Sequence, residues 1–237
     1  MTSVPTVAAG AAPTPSRAAR ARPWLTRPAA KVLLFALCLA PFGWLVRGAV
    51  LTTLGHDALG ANPAEALIRA TGDWTLRFLC LTLAVTPLRK LTAQPALARF
   101  RRMLGLFAFF YGNVHFLCYA WLDMGFALDD IARDIAKRPF ILVGTSALLL
   151  MLPLAATSLN RAIKALGASR WQALHRSVYA VVLLGLLHFF WMRSAKSNYA
   201  EVAVYAAVIA VLLGWRVIDW RLRGRAASRR GMLGARP

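Results

Sequence analysis

Long apolar segments alternate with short polar segments along this chain, and each apolar segment is about as long as a membrane-spanning helix. A helix needs about 20 mostly apolar residues to cross a bilayer. Six segments meet or approach that length: 31–50, 74–88, 103–122, 140–156, 173–192 and 199–218. We expect the second to end at Pro87, since proline breaks helices. The pattern predicts an all-α fold, a six-helix transmembrane bundle.

Composition and charge agree with a membrane protein. Hydrophobic residues make up 59% of the 237 residues and the mean hydropathy is +0.54, whereas a soluble domain is about 45–50% apolar. The net charge of +20 does not indicate nucleic-acid binding, because the basic residues lie in short segments between apolar ones. The three cysteines lie inside apolar segments without a CxxC pair, which argues against a disulfide framework or a zinc site.

The distribution of charge predicts the orientation. With the N-terminus in the cytoplasm, most lysines and arginines lie inside and eight of the nine acidic residues lie outside, as the positive-inside rule requires. The chain is therefore expected to be N-in and C-in. We predict a disordered basic tail over 1–30, a six-span domain over 31–219 and a basic cytoplasmic tail, also disordered, over 220–237. An uncleaved first helix is favoured over a signal peptide.

Two of the four histidines lie in the fifth apolar segment, and a third lies in the third segment. At 1.5 Å per residue, His115 and His188 lie about 18 Å and 22 Å from the cytoplasmic ends of two segments that run in the same direction. Two imidazoles at matching depth can ligate one iron from opposite faces. Gly112 and Gly185 each precede a histidine by three residues, and so lie on the ligand face, where a macrocycle could approach. The alternative is that each histidine bonds to a neighbouring helix.

The role of the third intramembrane histidine stays open. His175 could ligate a second haem at the cytoplasmic end, with Arg176 or Arg102 pairing with its propionates. It could equally be an interfacial histidine in an aromatic belt. The residue thirteen positions before His115 is Arg102, which cannot ligate iron, so a second ligand for such a haem is not evident.

Four runs of sequence closely resemble a known family. They are TGDWTLRFLCLTLAVTPLRKL (71–91), RRMLGLFAFFYGNVHFLCY (101–119), DIAKRPFILVGTSALLLMLPLAATS (134–158) and LGASRWQALHRSVYAVVLLGLLHFFW (166–191). These runs resemble the MsrQ (YedZ) family, the haem-binding membrane subunits of the bacterial periplasmic methionine-sulfoxide reductase system. They are also similar to the ferric-reductase-like transmembrane domain of the NADPH oxidases. The resemblance covers residues 60–195, with every intramembrane histidine.

The resemblance implies an electron carrier in the bacterial inner membrane. It implies haem b, with His115, His175 and His188 at haem-linked positions, and it leaves a second haem and FMN open. Electrons would come from the quinone pool or a cytoplasmic flavin reductase, and would pass to an MsrP-like periplasmic molybdopterin reductase. The chain departs from the oxidases' four-histidine pattern and has no GxGxxG motif, so a separate donor is implied and no catalytic site is expected.

The alternatives to electron transfer are a small transporter, a non-redox scaffold subunit and a free-standing ferric reductase. A small transporter usually shows an internal repeat and broken helices, and the sequence shows no clear repeat. A free-standing ferric reductase would need an exposed site for iron reduction, which the sequence does not show.

Overall fold

The structure is a computed structural model that describes residues 23–194 and 199–234, and all regular structure in those residues is helical. The helices are α1 (Pro23–Thr26), α2 (Pro28–Thr53), α3 (Pro63–Leu91), α4 (Arg101–Cys118), α5 (Leu128–Lys137), α6 (Pro139–Ala156), α7 (Asn160–Leu166), α8 (Ala168–His175), α9 (Val178–Ser194) and α10 (Ala200–Gly234). A 3₁₀ helix (Pro95–Phe100) precedes α4, and a π-helical turn (Tyr119–Asp123) extends it. The prediction of an all-α fold is confirmed.

Five helical segments of the described residues are long and apolar enough to cross a membrane. They are Pro28–Thr53, Pro95–Asp123, Pro139–Ala156, Ala168–Ser194 and Ala200–Gly224. Large apolar side chains on α2 point away from the bundle, with Val32 68% and Trp44 69% exposed, as expected of a helix in contact with lipid. The chain is therefore a multi-pass membrane protein.

Helix α3 is not one of these five segments, yet it lies at the centre of the bundle. It contacts α2, α4, α9 and α10. Its 29 residues span about 43 Å, enough to cross a bilayer, but its first half carries Arg69, Asp73 and Arg77. Arg69 pairs with Glu65 of α3 itself, whereas Arg77 has its partner on a neighbouring helix: the Tyr205 hydroxyl of α10 accepts a hydrogen bond from Arg77 Nε at 3.1 Å.

The predicted start and end of α3 were both wrong. The sequence predicts a loop over 51–73, of which 67–70 could extend the span, but Asn62 caps a helix that begins at Pro63, accepting the Glu65 backbone N–H at 3.1 Å. The helix also continues through Pro87 to Leu91. Proline removes the N–H that the Leu83 carbonyl would otherwise accept. Arg216 of α10 replaces it, donating from Nη2 to Leu83 O at 2.8 Å.

The fifth apolar segment is two helices and not one. Helix α8 ends at His175 and α9 begins at Val178. The Ser177 hydroxyl donates to the Leu174 carbonyl at 2.8 Å, and such a local side-chain bond competes with the helical backbone pattern. His175 therefore belongs to a short helix that precedes the helix of His188.

The predicted tails and loops contain helices as well. Residues 23–26 and 28–30 of the predicted N-terminal tail are helical, and residues 1–22 lie outside the described part. Helix α10 continues to Gly234, so the prediction of disorder from Trp220 was wrong for 220–234. The polar segment between the third and fourth predicted spans contains α5, and the one between the fourth and fifth contains α7 and the start of α8.

The hydroxyl of Tyr111 ties α4 to α2. Tyr111 is completely buried, and its hydroxyl accepts the Phe42 N–H at 2.9 Å and donates to Cys38 O at 2.9 Å. In an uninterrupted α-helix that N–H would bond directly to that carbonyl, four residues earlier. Pro41, inside α2, precedes the bridged N–H. The tyrosine therefore completes the backbone bonding of α2 beside a proline.

We predict that Tyr111→Phe destabilises the bundle by about 1–3 kcal/mol, because it removes the bridge between two buried backbone groups. The measurement is thermal unfolding of the detergent-solubilised protein. Tyr199→Phe is the matched control, since that side chain is 47% exposed. Equal unfolding temperatures for Tyr111→Phe and the control would contradict the role of the bridge.

Candidate cofactor site

A cavity of about 570 Å³ lies between α3, α4, α6 and α9. Its volume falls within the range of about 300–1,000 Å³ that is typical of ligand pockets. One end is apolar and is lined by Leu79, Met151 and Val181; the other carries Arg69 and Arg138. Both paired histidines predicted from the sequence, His115 and His188, line this cavity.

The imidazoles of His115 and His188 face each other in the cavity. Their ring centroids are 6.0 Å apart and their planes are inclined by 78°. Bonds of about 2 Å from imidazole nitrogens to one central metal ion place two ring centroids on the order of 6 Å apart. The observed separation therefore suits one ion held between the two rings.

Each of these histidines is oriented by a backbone carbonyl of a neighbouring helix. His115 Nδ1 lies 2.8 Å from Ile68 O on α3, and His188 Nδ1 lies 2.6 Å from Phe140 O on α6. A carbonyl oxygen only accepts hydrogen bonds, so Nδ1 carries the hydrogen in both rings. Neither Nε2 has a hydrogen-bond partner among the described residues. Both Nε2 atoms therefore keep the lone pair that a metal requires.

Two glycines that the sequence reasoning missed make room for these rings. A Cβ on Gly72 would lie 3.1 Å from His115 Cε1, and a Cβ on Gly144 would lie 2.7 Å from His188 Nδ1. Each glycine follows, by four residues, the carbonyl that its histidine bonds. Residues i and i+4 share a helix face, so any side chain there would cover that carbonyl. We call each carbonyl with its glycine, Ile68/Gly72 and Phe140/Gly144, an imidazole seat.

Gly112 and Gly185, singled out by the sequence, line the same cavity. A Cβ on Gly112 would lie 3.4 Å from Leu148 Cδ1, and one on Gly185 would lie 3.9 Å from Leu76 Cδ1. These glycines therefore leave space beside leucines of α6 and α3. They do not contact the imidazoles, which depend on the seats instead.

The site has an approximate twofold arrangement that was not evident from the sequence. In each half a carbonyl is followed by a glycine four residues later and a leucine four residues after that. Leu76, from the α3 half, meets Gly185 of α9, and Leu148, from the α6 half, meets Gly112 of α4. The histidines follow their carbonyls by 47 and 48 residues. No clear repeat was expected from the sequence, yet this spacing of carbonyl, glycine and leucine occurs in both halves.

His175 lies apart from this pair, in a second cavity of about 220 Å³ that Arg102 also lines. Its ring stacks on Trp171, with centroids 4.0 Å apart, and its Nε2 lies 3.1 Å from Thr157 Oγ1. Arg102 donates to Asn160 Oδ1 at 2.7 Å. Arg176 is exposed and lines neither cavity. The structure thus brings His175 and Arg102 together and leaves Arg176 outside.

The described residues contain no cluster of three or more His, Cys, Asp or Glu side chains that could hold a metal ion by themselves. A metal ion between His115 and His188 would therefore have to bring its remaining ligands with it. A macrocyclic metal group satisfies this condition, and the apolar walls of the cavity suit a macrocycle. The residues present fit a haem.

Comparisons with known proteins show which family this chain resembles. A family model described as ferric reductase like transmembrane component matches residues 71–186. A protein of Polaromonas naphthalenivorans (strain CJ2) is 64% identical over 89% of this chain and 94% of its own length. A protein of Bordetella pertussis is 52% identical over 83% of this chain and 93% of its own length.

A third relative, from Xanthomonas campestris pv. campestris, is 47% identical over 85% of this chain and 91% of its own length. All three relatives carry the name protein-methionine-sulfoxide reductase heme-binding subunit MsrQ. No solved structure matches the chain. Identity of this extent over most of both chains shows common descent, and the chain belongs to the MsrQ family.

Proposed function

We propose that this chain is a haem b-containing membrane subunit that carries electrons to a periplasmic methionine-sulfoxide reductase. The acceptor is an MsrP-like molybdopterin enzyme, and the donor is the quinone pool or a cytoplasmic flavin reductase. The relatives named as heme-binding subunits of that reductase support this proposal. The single observation that carries it is the facing pair His115 and His188, 6.0 Å apart in one apolar cavity.

In this proposal His115 and His188 would hold the haem iron through their Nε2 atoms. The bonds from Nδ1–H to Ile68 O and Phe140 O keep each ring in one tautomer, with Nε2 directed to the metal. A haem with two imidazole ligands supplies one-electron transfer and leaves no open iron position for oxygen. Leu79, Met151 and the other apolar residues of the cavity exclude water and lower the local dielectric.

The proposed topology has six spans, with both termini in the cytoplasm of a bacterial inner membrane. The sixth span is α3, whose first half carries charged side chains. In this orientation the polar end of the cavity, with Arg69 and Arg138, faces the periplasm. Helix α5 lies at the same end and offers alternating acidic and basic side chains, including Asp130 and Arg133, to a soluble partner.

Electrons enter at the cytoplasmic side in this proposal and leave at the periplasmic side. His175 and its cavity lie thirteen residues before His188, on the donor side of the haem. The cavity of about 220 Å³ that His175 lines, called the inner cavity below, is a candidate place for a second cofactor. That cofactor, a second haem or FMN, would lie between the donor and His188. Aromatic side chains along α4 and α9 pack inside the bundle, and the proposal does not need them as electron relays.

We predict that the purified protein is red, with the reduced-minus-oxidised spectrum of a low-spin b-type haem. His115→Ala and His188→Ala should each abolish the same absorption bands, because each removes one of two ligands to one iron. Optical difference spectra and haem assays on the two variants make the measurement. A colourless, folded wild-type protein, or loss of the bands in only one variant, would contradict the shared haem.

His175→Ala is the matched control for those variants. It removes an intramembrane imidazole from the other cavity, so the bands of the His115–His188 haem should remain. The ratio of haem to protein in this variant also counts the cofactors. A ratio lower than that of the wild type would assign a second haem to the inner cavity.

We predict that Gly144→Ala disrupts ligation by His188, because the added Cβ would lie 2.7 Å from Nδ1. Such a contact requires the ring or the helix to move, and the bond to Phe140 O is lost with it. Gly214→Ala in α10 is the control, since no atom lies within 4 Å of a Cβ added there and Gly214 does not line the cavity. Electron paramagnetic resonance should show a loss of the low-spin signal in Gly144→Ala alone. Identical low-spin spectra in both variants would disprove the seat.

We predict that the reduced haem is reoxidised only when the periplasmic reductase and methionine sulfoxide are both present. The protein would be reconstituted in liposomes and reduced with a quinol or with a flavin reductase and its substrate. Stopped-flow absorbance then follows the haem. Omission of the sulfoxide is the control. Equal reoxidation without the reductase would argue against this partner.

A further inference from the structure

The cavity that holds His115 and His188 is polarised along its length. Its inner end is lined by apolar side chains, and its outer mouth carries two arginines, Arg69 from α3 and Arg138 from the start of α6. Arg102 lines the other cavity, and Arg176 lines neither. A ligand with an apolar body and acidic groups at one edge would enter this cavity with its acidic edge outward.

We propose that Arg69 and Arg138 bind the two propionate carboxylates of the haem, one each, at the outer mouth of the cavity. This inference rests on the proposed haem between His115 and His188. The sequence offered Arg102 or Arg176 for the propionates of a second haem at His175, whereas Arg69 and Arg138 line the cavity of the paired histidines. This binding also orients the macrocycle, with its vinyl-bearing edge toward the apolar inner end.

Each arginine stands beside the carbonyl of one imidazole seat. Arg69 directly follows Ile68, whose carbonyl holds His115, and Arg138 lies two residues before Phe140, whose carbonyl holds His188. The two guanidinium groups therefore belong to opposite halves of the site. Their placement suits the two propionates, which leave one edge of a porphyrin side by side.

Both guanidinium groups are held by carboxylates that leave N–H groups available. Arg69 Nη2 lies 2.5 Å from Glu65 Oε1, and Arg138 Nε lies 2.8 Å from Asp134 Oδ1. Asp134 also accepts the Tyr119 hydroxyl at 2.7 Å. The Nη atoms of Arg138 have no hydrogen-bond partner within 23–194 and 199–234. An arginine can bind a carboxylate through two parallel N–H bonds, and these atoms provide such a pair.

The other charges at the mouth restrict where a carboxylate can bind. Three carboxylates also line the mouth, those of Glu65, Asp73 and Asp123. They would repel the carboxylate of a ligand. Asp73 lies within electrostatic reach of Arg77 and Arg193, and Glu65 pairs with Arg69. A propionate is therefore accepted only where it faces the remaining donors of Arg69 or Arg138. A haem whose two propionates are blocked as esters therefore tests whether these arginine donors are used.

The test titrates the full-length protein, prepared from haem-deficient cells, with haem and with haem dimethyl ester, in which both carboxylates are blocked. The wild type should bind haem more tightly than the ester. Arg69→Gln and Arg138→Gln should each weaken haem binding about tenfold, the effect of one charge-assisted bond, and leave ester binding unchanged. The double variant should bind the two compounds equally, with bis-histidine spectra retained in both complexes.

Arg133→Gln is the matched control, because Arg133 pairs with Asp130 at 3.5 Å on exposed α5 and does not line the cavity. It should keep the full preference of the wild type for haem. Equal binding of haem and ester by the wild type, or equal weakening of both compounds in the arginine variants, would overturn the proposal. Failure of the wild type to bind either compound would instead overturn the proposed haem site itself.

Discussion

The site depends on one hydrogen bond made twice, from an imidazole Nδ1–H to a backbone carbonyl of a neighbouring helix. A buried N–H without a partner costs about 1–3 kcal/mol, so each ring must find an acceptor in an apolar interior. Helix carbonyls already accept a bond from the residue four positions later, but a carbonyl oxygen has a second lone pair. That lone pair can be reached only where no side chain covers it, and Gly72 and Gly144 provide this access.

The twofold arrangement couples the two halves of the bundle. Helix α3 packs on α4, and α6 on α9, so each histidine is seated within its own pair of helices. Across the cavity, Leu76 of the first half fills the space beside Gly185 of the second, and Leu148 does the same for Gly112. Each pair of helices therefore completes the wall that the other pair lacks. The cavity exists only when both pairs are assembled, which joins formation of the site to folding of the bundle.

The pairing of His115 and His188 could be predicted because it needs only the rise of a helix and the direction of two segments. The imidazole seats could not be predicted, because the role of Gly72 or Gly144 depends on which side chain of another helix faces it. The full length of α3 was hidden for a related reason. Arg69, Asp73 and Arg77 interrupt its apolar pattern, and the partner of Arg77, the Tyr205 hydroxyl, lies 128 residues later in the chain. Likewise, the passage of α3 through Pro87 depends on Arg216, which lies 129 residues later in the chain.

The inner cavity differs from the cavity of His115 and His188 in the hydrogen bonding, and so in the tautomer, of its histidine. Thr157 Oγ1 donates to Pro153 O at 2.6 Å, so the hydroxyl must accept the hydrogen that lies between it and His175 Nε2. His175 is thus held through Nε2 and has its lone pair on Nδ1, the reverse of His115 and His188. Its ring also stacks on Trp171, and the residue at the position equivalent to its partner is Arg102. Ligation of a haem by His175 would require either use of Nδ1 or release from Thr157. The outer pair needs neither, because both of its Nε2 atoms already keep their lone pairs.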